Sequence, residues 1–305
     1  MRKRILAGII SVLAIATFIA GIIYYDTHHV TPIYYNDIGI HLELDKEEWD
    51  KNRDVKTPIT QNEEKIVENV LMDLCELYNV SKEMPKVAHY KPNNGIEAQY
   101  DDECIYVDFK AETNKLKADI AHELVHYLTD KGNGTVGFMY TLDSDKNYCL
   151  GSTLTEGFTE YFSSKYAKHE QTYYPYEVHV AKMLVLCYGE TLQNDFFEAN
   201  IDNLRNDFNK CLKKYYQDVL CESIVFTPFD IFNSSLGLYR ESANYDIRNN
   251  SAIQLIDEMM LFYAHCKGCE GEIVNEIEVF ADENDVPVLK ELINSQASRL
   301  IGKSI

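Results

Sequence analysis

The stretch from Leu116 to Leu128 constrains this chain more than any other. Leu116, Ile120, Leu124 and Leu128 recur every four residues, with Ala121 and Val125 beside them, which is the spacing of a helix that buries one stripe. Thr113 or Asn114 stands where such a helix needs a cap. His122 and His126 are also four apart, so the helix sets them one turn from each other on one face, away from Leu124. The packing that anchors the helix therefore leaves both imidazoles free to converge.

Two imidazoles at this spacing can direct nitrogens at one zinc ion roughly 2.0–2.1 Å away. Glu123 follows the first of them and is placed as a general base that activates a zinc-bound water and hands the proton to a leaving amine. A catalytic zinc takes three protein ligands and keeps a position for water. The candidate third ligand is Glu156, in Leu154-Thr155-Glu156-Gly157-Phe158-Thr159-Glu160, at the start of a second amphipathic helix that opens at Ser152. Glu160 lies one turn further on the same face, where it can bond the outer nitrogen of a ligating histidine and fix its tautomer. The cofactor implied is zinc, one Zn2+ per chain.

These motifs resemble the gluzincin metallopeptidases, the superfamily of thermolysin and of the aminopeptidase N family. His122-Glu-Leu-Val-His126-Tyr-Leu-Thr-Asp130 is similar to the thermolysin active-site helix, including the acid four residues after the second histidine. Leu154-Thr-Glu156-Gly-Phe-Thr-Glu160 is similar to the aminopeptidase segment that carries the third ligand, with Thr155 where Asn is common. The resemblance implies His122, His126 and Glu156 as ligands, Glu123 as base, and a peptide or protein substrate. It does not extend to the aminopeptidase strand that grips a substrate amine. In Gly95-Ile96-Glu97-Ala98-Gln99 the acid is one position early, which turns it to the other face of a strand. A transition-state donor is also implied, with Tyr216, Tyr239, Tyr245 and His179 as candidates. The alternative function is a non-catalytic zinc-fold surface module, a receptor or binding protein that keeps the metal for structure.

Arg2, Lys3 and Arg4 precede an uncharged run from Ile5 to Tyr25. As a helix it measures roughly 31 Å, the thickness of a bilayer core. It reads as an uncleaved transmembrane helix with the N-terminus in the cytoplasm and the remainder outside. The organisation expected is thus a cytoplasmic tail over 1–4, an anchor over 5–25 and a stalk over 26–58. An α+β part over 59–151 would carry the His-Glu-x-x-His helix, and a helical part over 152–305 the third ligand. The expected fold class is α+β and zincin-like, with a small, mostly antiparallel sheet, and the expected function is that of a membrane-anchored zinc metallopeptidase acting outside the cytoplasm.

Within the α+β part, Ile66, Val67, Val70, Leu71 and Leu74 have helical spacing up to Asn79. Three strand-like runs follow at Val87–Tyr90, Ile96–Tyr100 and Cys104–Phe109, read as antiparallel neighbours. The chain has 29 Lys and Arg against 49 Asp and Glu, a net charge of −20, which excludes nucleic acid as a partner. Of eight cysteines, Cys187 sits in an apolar run and reads as a buried thiol. Cys266-Lys-Gly-Cys269, next to His265, reads as a local disulfide, two unengaged thiols, a redox pair or half of a structural zinc site for which no second Cys-x-x-Cys exists.

Overall fold

A computed structural model describes residues 53–91, 98–101, 103–110, 113–132, 135–142, 149–168, 174–221, 224–241 and 251–301. The apolar run at 5–25, with the tail before it and most of the stalk after it, lies outside the described residues. Among the described residues no helix is long and apolar enough to cross a membrane. The longest, α1 (Gln61–Tyr78), has 18 residues and exposes Glu64, Lys65, Glu68, Asp73 and Glu76. The membrane-anchored, single-pass, extracytoplasmic reading is therefore corrected, and the membrane is withdrawn as a partner; what stands is an α+β fold.

Helix α1 begins where Thr60 and Glu63 cap each other's backbone reciprocally, and it stops where Asn79 takes the left-handed conformation, φ 52°. Val67, Val70, Leu71, Leu74 and Tyr78 form its buried stripe. Four strands make one mixed sheet: β1 (Arg53–Asp54), β2 (Lys86–Tyr90), β3 (Ala98–Asp101) and β4 (Cys104–Val107), in the order β1-β2-β4-β3.

The order differs from the expected run of antiparallel neighbours. β2 pairs with β4 in parallel, Val87 opposite Ile105, while β3 and β1 attach antiparallel at the two edges. Burial explains it. Every residue of β4 is buried, with Ile105 and Val107 in the main core and Cys104 and Tyr106 packed with Ala88 and Tyr90 on the opposite face. A strand apolar on both faces takes a central place, and the more polar Ala98-Gln99-Tyr100-Asp101 is left at the rim.

Next comes α2 (Thr113–Thr129). Its Leu116, Ile120, Leu124 and Leu128 are buried in the main core, and the helix packs against β3, β4, α1 and α3 (Ser152–Ala167). Between α2 and α3 lies a two-stranded ribbon, β5 (Tyr140–Thr141) with β6 (Cys149–Leu150). Gly151 then starts α3 at φ 93°, where a Cβ would lie 2.1 Å from the Phe138 carbonyl oxygen. Only glycine fits this junction.

The helical half continues through α4 (Pro175–Tyr188), α5 (Thr191–Phe197) and α6 (Asp202–Leu212). A hairpin of β7 (Val219–Cys221) and β8 (Ile224–Phe226) precedes α7 (Pro228–Glu241), α8 (Ser251–Lys267), α9 (Glu270–Glu283) and α10 (Pro287–Ile301). Helices α3 and α4 meet backbone to backbone at Gly157, where a Cβ would stand 2.4 Å from the Glu177 carbonyl oxygen. Cys211 of α6 and Cys266 of α8 form a disulfide, so of the readings open for Cys266 and Cys269 the local bond between them is set aside. The turn after α8 sends the two cysteines toward different helices.

Candidate metal centre

Helix α2 carries His122, Glu123 and His126, and the second and third turns of α3 bring Glu156 and Glu160 to them. His122 Nε2 lies 3.2 Å from Glu156 Oε2 and 3.2 Å from His126 Nε2, and His126 Nε2 lies 3.4 Å from the same Glu156 oxygen. The three residues form a cluster that can hold a metal ion. Donors held about 2.0–2.1 Å from a tetrahedral zinc stand about 3.3 Å from one another, so the triangle has the edge lengths such an ion requires.

The protons point the same way. His122 Nδ1 lies 2.8 Å from Glu160 Oε2; a neutral imidazole that donates there presents a lone pair at Nε2. That lone pair faces a carboxylate oxygen and a second imidazole nitrogen. A proton on His126 Nε2, a charged ring or a cation between the three groups relieves the contact. Burial alone would push His122 down, but Glu156 and Glu160 outweigh it and hold the imidazole well above its usual pKa. Burial would likewise raise Glu156, yet His126 and His122 bring its carboxyl well below the normal range. Two neutral nitrogens and one carboxylate suit zinc in both softness and charge.

Glu123 is directed at the sheet. Its Oε2 accepts the backbone N–H of Tyr100, in edge strand β3, at 2.7 Å. Burial raises its carboxyl pKa, against the opposing pull of His122 and His126. Tyr100 also donates its hydroxyl to Asp130, the acid four residues after His126, so this tyrosine ties the edge strand to α2 at two points. Thr155, in the place where Asn is common, accepts the Phe138 N–H at 3.0 Å and pins the inter-helix loop to the first turn of α3.

Two neighbours of the cluster were not anticipated. Thr159 Oγ1 lies 3.4 Å from His126 Nδ1; it is three residues after Glu156, so helical periodicity alone could have placed it on the ligand face. The Tyr174 ring stacks on His122 with centroids 5.7 Å apart at 24°. It precedes Pro175 in a loop and carried no periodic signal.

Of the four donor candidates, His179 faces Asp257 and Glu276. Tyr239 packs on Tyr176, and Tyr216 is buried against Phe262. Tyr245, like Glu97, lies outside the described residues. Compared with known proteins, the chain matches no family model, no curated relative and no solved structure. What the structure adds is the cluster of His122, His126 and Glu156, which can hold a metal ion.

Proposed function

We propose that this chain is a zinc-dependent peptidase of gluzincin type, without the membrane anchorage and extracytoplasmic placement corrected above. The observation that carries the reading is the triangle of His122 Nε2, His126 Nε2 and Glu156 Oε2, with sides of 3.2, 3.2 and 3.4 Å. It stands beside a half-buried carboxylate, Glu123, whose pKa is raised. A zinc ion held by those three residues supplies Lewis acidity toward a water and a substrate carbonyl. Glu123 takes the proton of the attacking water and delivers it to the departing amine nitrogen, a task for which a raised carboxyl pKa is suited. Glu160 holds His122 through Nδ1 so that Nε2 stays directed at the ion.

A second reading, a non-catalytic zinc-binding module, draws on the same cluster. It is favoured by the Tyr100–Glu123 bond, which engages the would-be base in holding β3 onto α2. The two readings part on one experiment. Zinc-loaded chain and its Glu123→Gln variant are incubated with a peptide library, with and without chelator, and zinc content is measured in parallel. The peptidase reading expects chelator-sensitive cleavage by the parent and about a 10²–10⁴-fold loss in the variant, with zinc retained in both. A variant that cleaves as well as the parent removes Glu123 from the base role. A zinc-loaded parent that cleaves nothing favours the module.

A further inference from the structure

The Cys266-Lys-Gly-Cys269 pair has no part in the site above, and its two thiols have separate neighbours. Cys266, in the last turn of α8, is bonded to Cys211 of α6. Gly268 turns the chain at φ +76° with its N–H bonded to the Ala264 carbonyl, and Cys269 follows as the N-cap residue of α9. There its Sγ lies 3.6 Å from the Sγ of Cys187, which is 82 residues away on α4. Cys187 is buried and Cys269 half-buried. Each cysteine of the short motif thus meets a cysteine from a different helix, and one of the two pairs is already a disulfide.

The geometry points to Cys187 and Cys269 as a second disulfide site, one that welds α4 to the α8–α9 turn. The two sulfurs, 3.6 Å apart, are in van der Waals contact, and closing the bond brings them to the roughly 2.05 Å of a disulfide. The oxidant is a small-molecule disulfide of the glutathione class. Cys269, the more accessible sulfur, attacks it as the thiolate, forms a mixed disulfide and releases the first thiol. Cys187 then attacks the Cys269 sulfur, closes the protein bond and releases the second thiol. The two cysteine protons leave on the two departing thiols, and the oxidant gains the two electrons that the cysteines lose.

Burial raises both thiols above their ordinary pKa, so few thiolates are present near neutral pH and the bond forms slowly. Its position gives it a consequence for the cleft. Helix α4 is the one against which α3 lies at Gly157, and α3 carries Glu156 and Glu160. The new bond braces from behind the helix that supplies the carboxylate side of the cluster.

The test uses the full chain, reduced and then exposed to oxidised glutathione, alkylated, and digested without reduction for mass spectrometry. The expected result is two cross-linked peptide pairs, Cys187 with Cys269 and Cys211 with Cys266. Thermal unfolding gives a second readout. A bond closing so long a loop raises Tm on oxidation by on the order of 5–10 °C, and both Cys187→Ser and Cys269→Ser abolish that increment while keeping Cys211–Cys266. The proposal is overturned if Cys269 is recovered joined to Cys266, or if Cys187 and Cys269 are both recovered alkylated from chains with Cys211–Cys266 intact. It is equally overturned if oxidation raises Tm as much in either serine variant, which re-forms only Cys211–Cys266, as in the parent.

Discussion

His122 on α2 and His179 on α4 are both buried, and each lies between two carboxylates. At His179, Nε2 meets Asp257 Oδ1 at 3.0 Å and Nδ1 meets Glu276 Oε1 at 3.4 Å, with the Phe280 ring stacked on the imidazole at 4.3 Å. Each acid has its own nitrogen, so a charged ring donates to both and the group is complete. At His122 the first half is the same, with Nδ1 facing Glu160. The other nitrogen, however, meets Glu156 and the nitrogen of a second imidazole together. Two imidazole nitrogens and a carboxylate oxygen converge there on one point. The comparison teaches that a histidine between acids is an ion pair when its partners diverge and a metal candidate when the donors converge.

The largest effects test that distinction directly. His126→Ala removes one corner of the triangle and is expected to take zinc content from about one per chain to near zero, with the fold retained because the His126 side chain lies at the cleft and outside the apolar stripe. His179→Ala is expected to leave zinc content unchanged and to lower stability by about 3–5 kcal/mol in denaturant unfolding, because Asp257, fully buried, loses the cation it faces. Loss of zinc from His179→Ala would mean that the two clusters are one system and would dissolve the comparison.

The same contrast shows why one cluster was legible in the sequence and the other was not. His122 and His126 are one helical turn apart, and Glu156 and Glu160 repeat that spacing on α3, so local periodicity was enough to set four of the five residues on two faces. The long separation between the two helices was bridged only by the match of the second motif to a known pattern. His179 depends on Asp257 and Glu276, 78 and 97 residues away; it was read as a candidate for transition-state chemistry because nothing near it in the chain discloses those partners. The parallel pairing of β2 with β4 failed for the same reason, since strand order follows from which strand is covered on both faces. Cys266 bonding to Cys211 rather than Cys269 is a third case, decided by how α6 and α8 pack. The apolar run at 5–25 made the strongest local signal in the chain, and its anchoring role finds no counterpart in any described helix.

A middle-sized effect sharpens the part the two histidines share. Glu160 and Glu276 each sit at an Nδ1 atom, but only Glu160 stands behind a nitrogen that faces the convergence point. Glu160→Ala is expected to weaken zinc binding about 10–100-fold, the cost of freeing the tautomer and orientation of a ligating histidine, as read by competition with a chromophoric chelator. Glu276→Ala in the same titration is expected to bind zinc as the parent does. Equal weakening in both would indicate a general loosening of the helical half and leave Glu160 without a specific place at the centre.

The smallest effect concerns the charge on His179. Burial by itself would push this imidazole down, but Asp257 and Glu276 outweigh it and hold its pKa above the usual value; Tyr176 is bonded to Asp257, and Lys182 lies near Glu276. A folded-state pKa above the unfolded value, about 6.5, means that the native chain binds the proton more tightly. Its contribution to stability is therefore fully present below about pH 6.5 and is lost as pH rises through the folded pKa, with a slope of at most about 1.4 kcal/mol per pH unit. Comparing urea unfolding of the parent and His179→Gln from pH 6 upward isolates this term, because the other groups that titrate in alkali are common to both chains. The stability gap between them is expected to narrow as pH rises. A gap that stays constant would mean that folding leaves the His179 pKa unshifted, and one that widens with pH that the ring is neutral in the folded chain; in either case the line drawn between the ion pair and the metal candidate would have to rest on the convergence of donors alone.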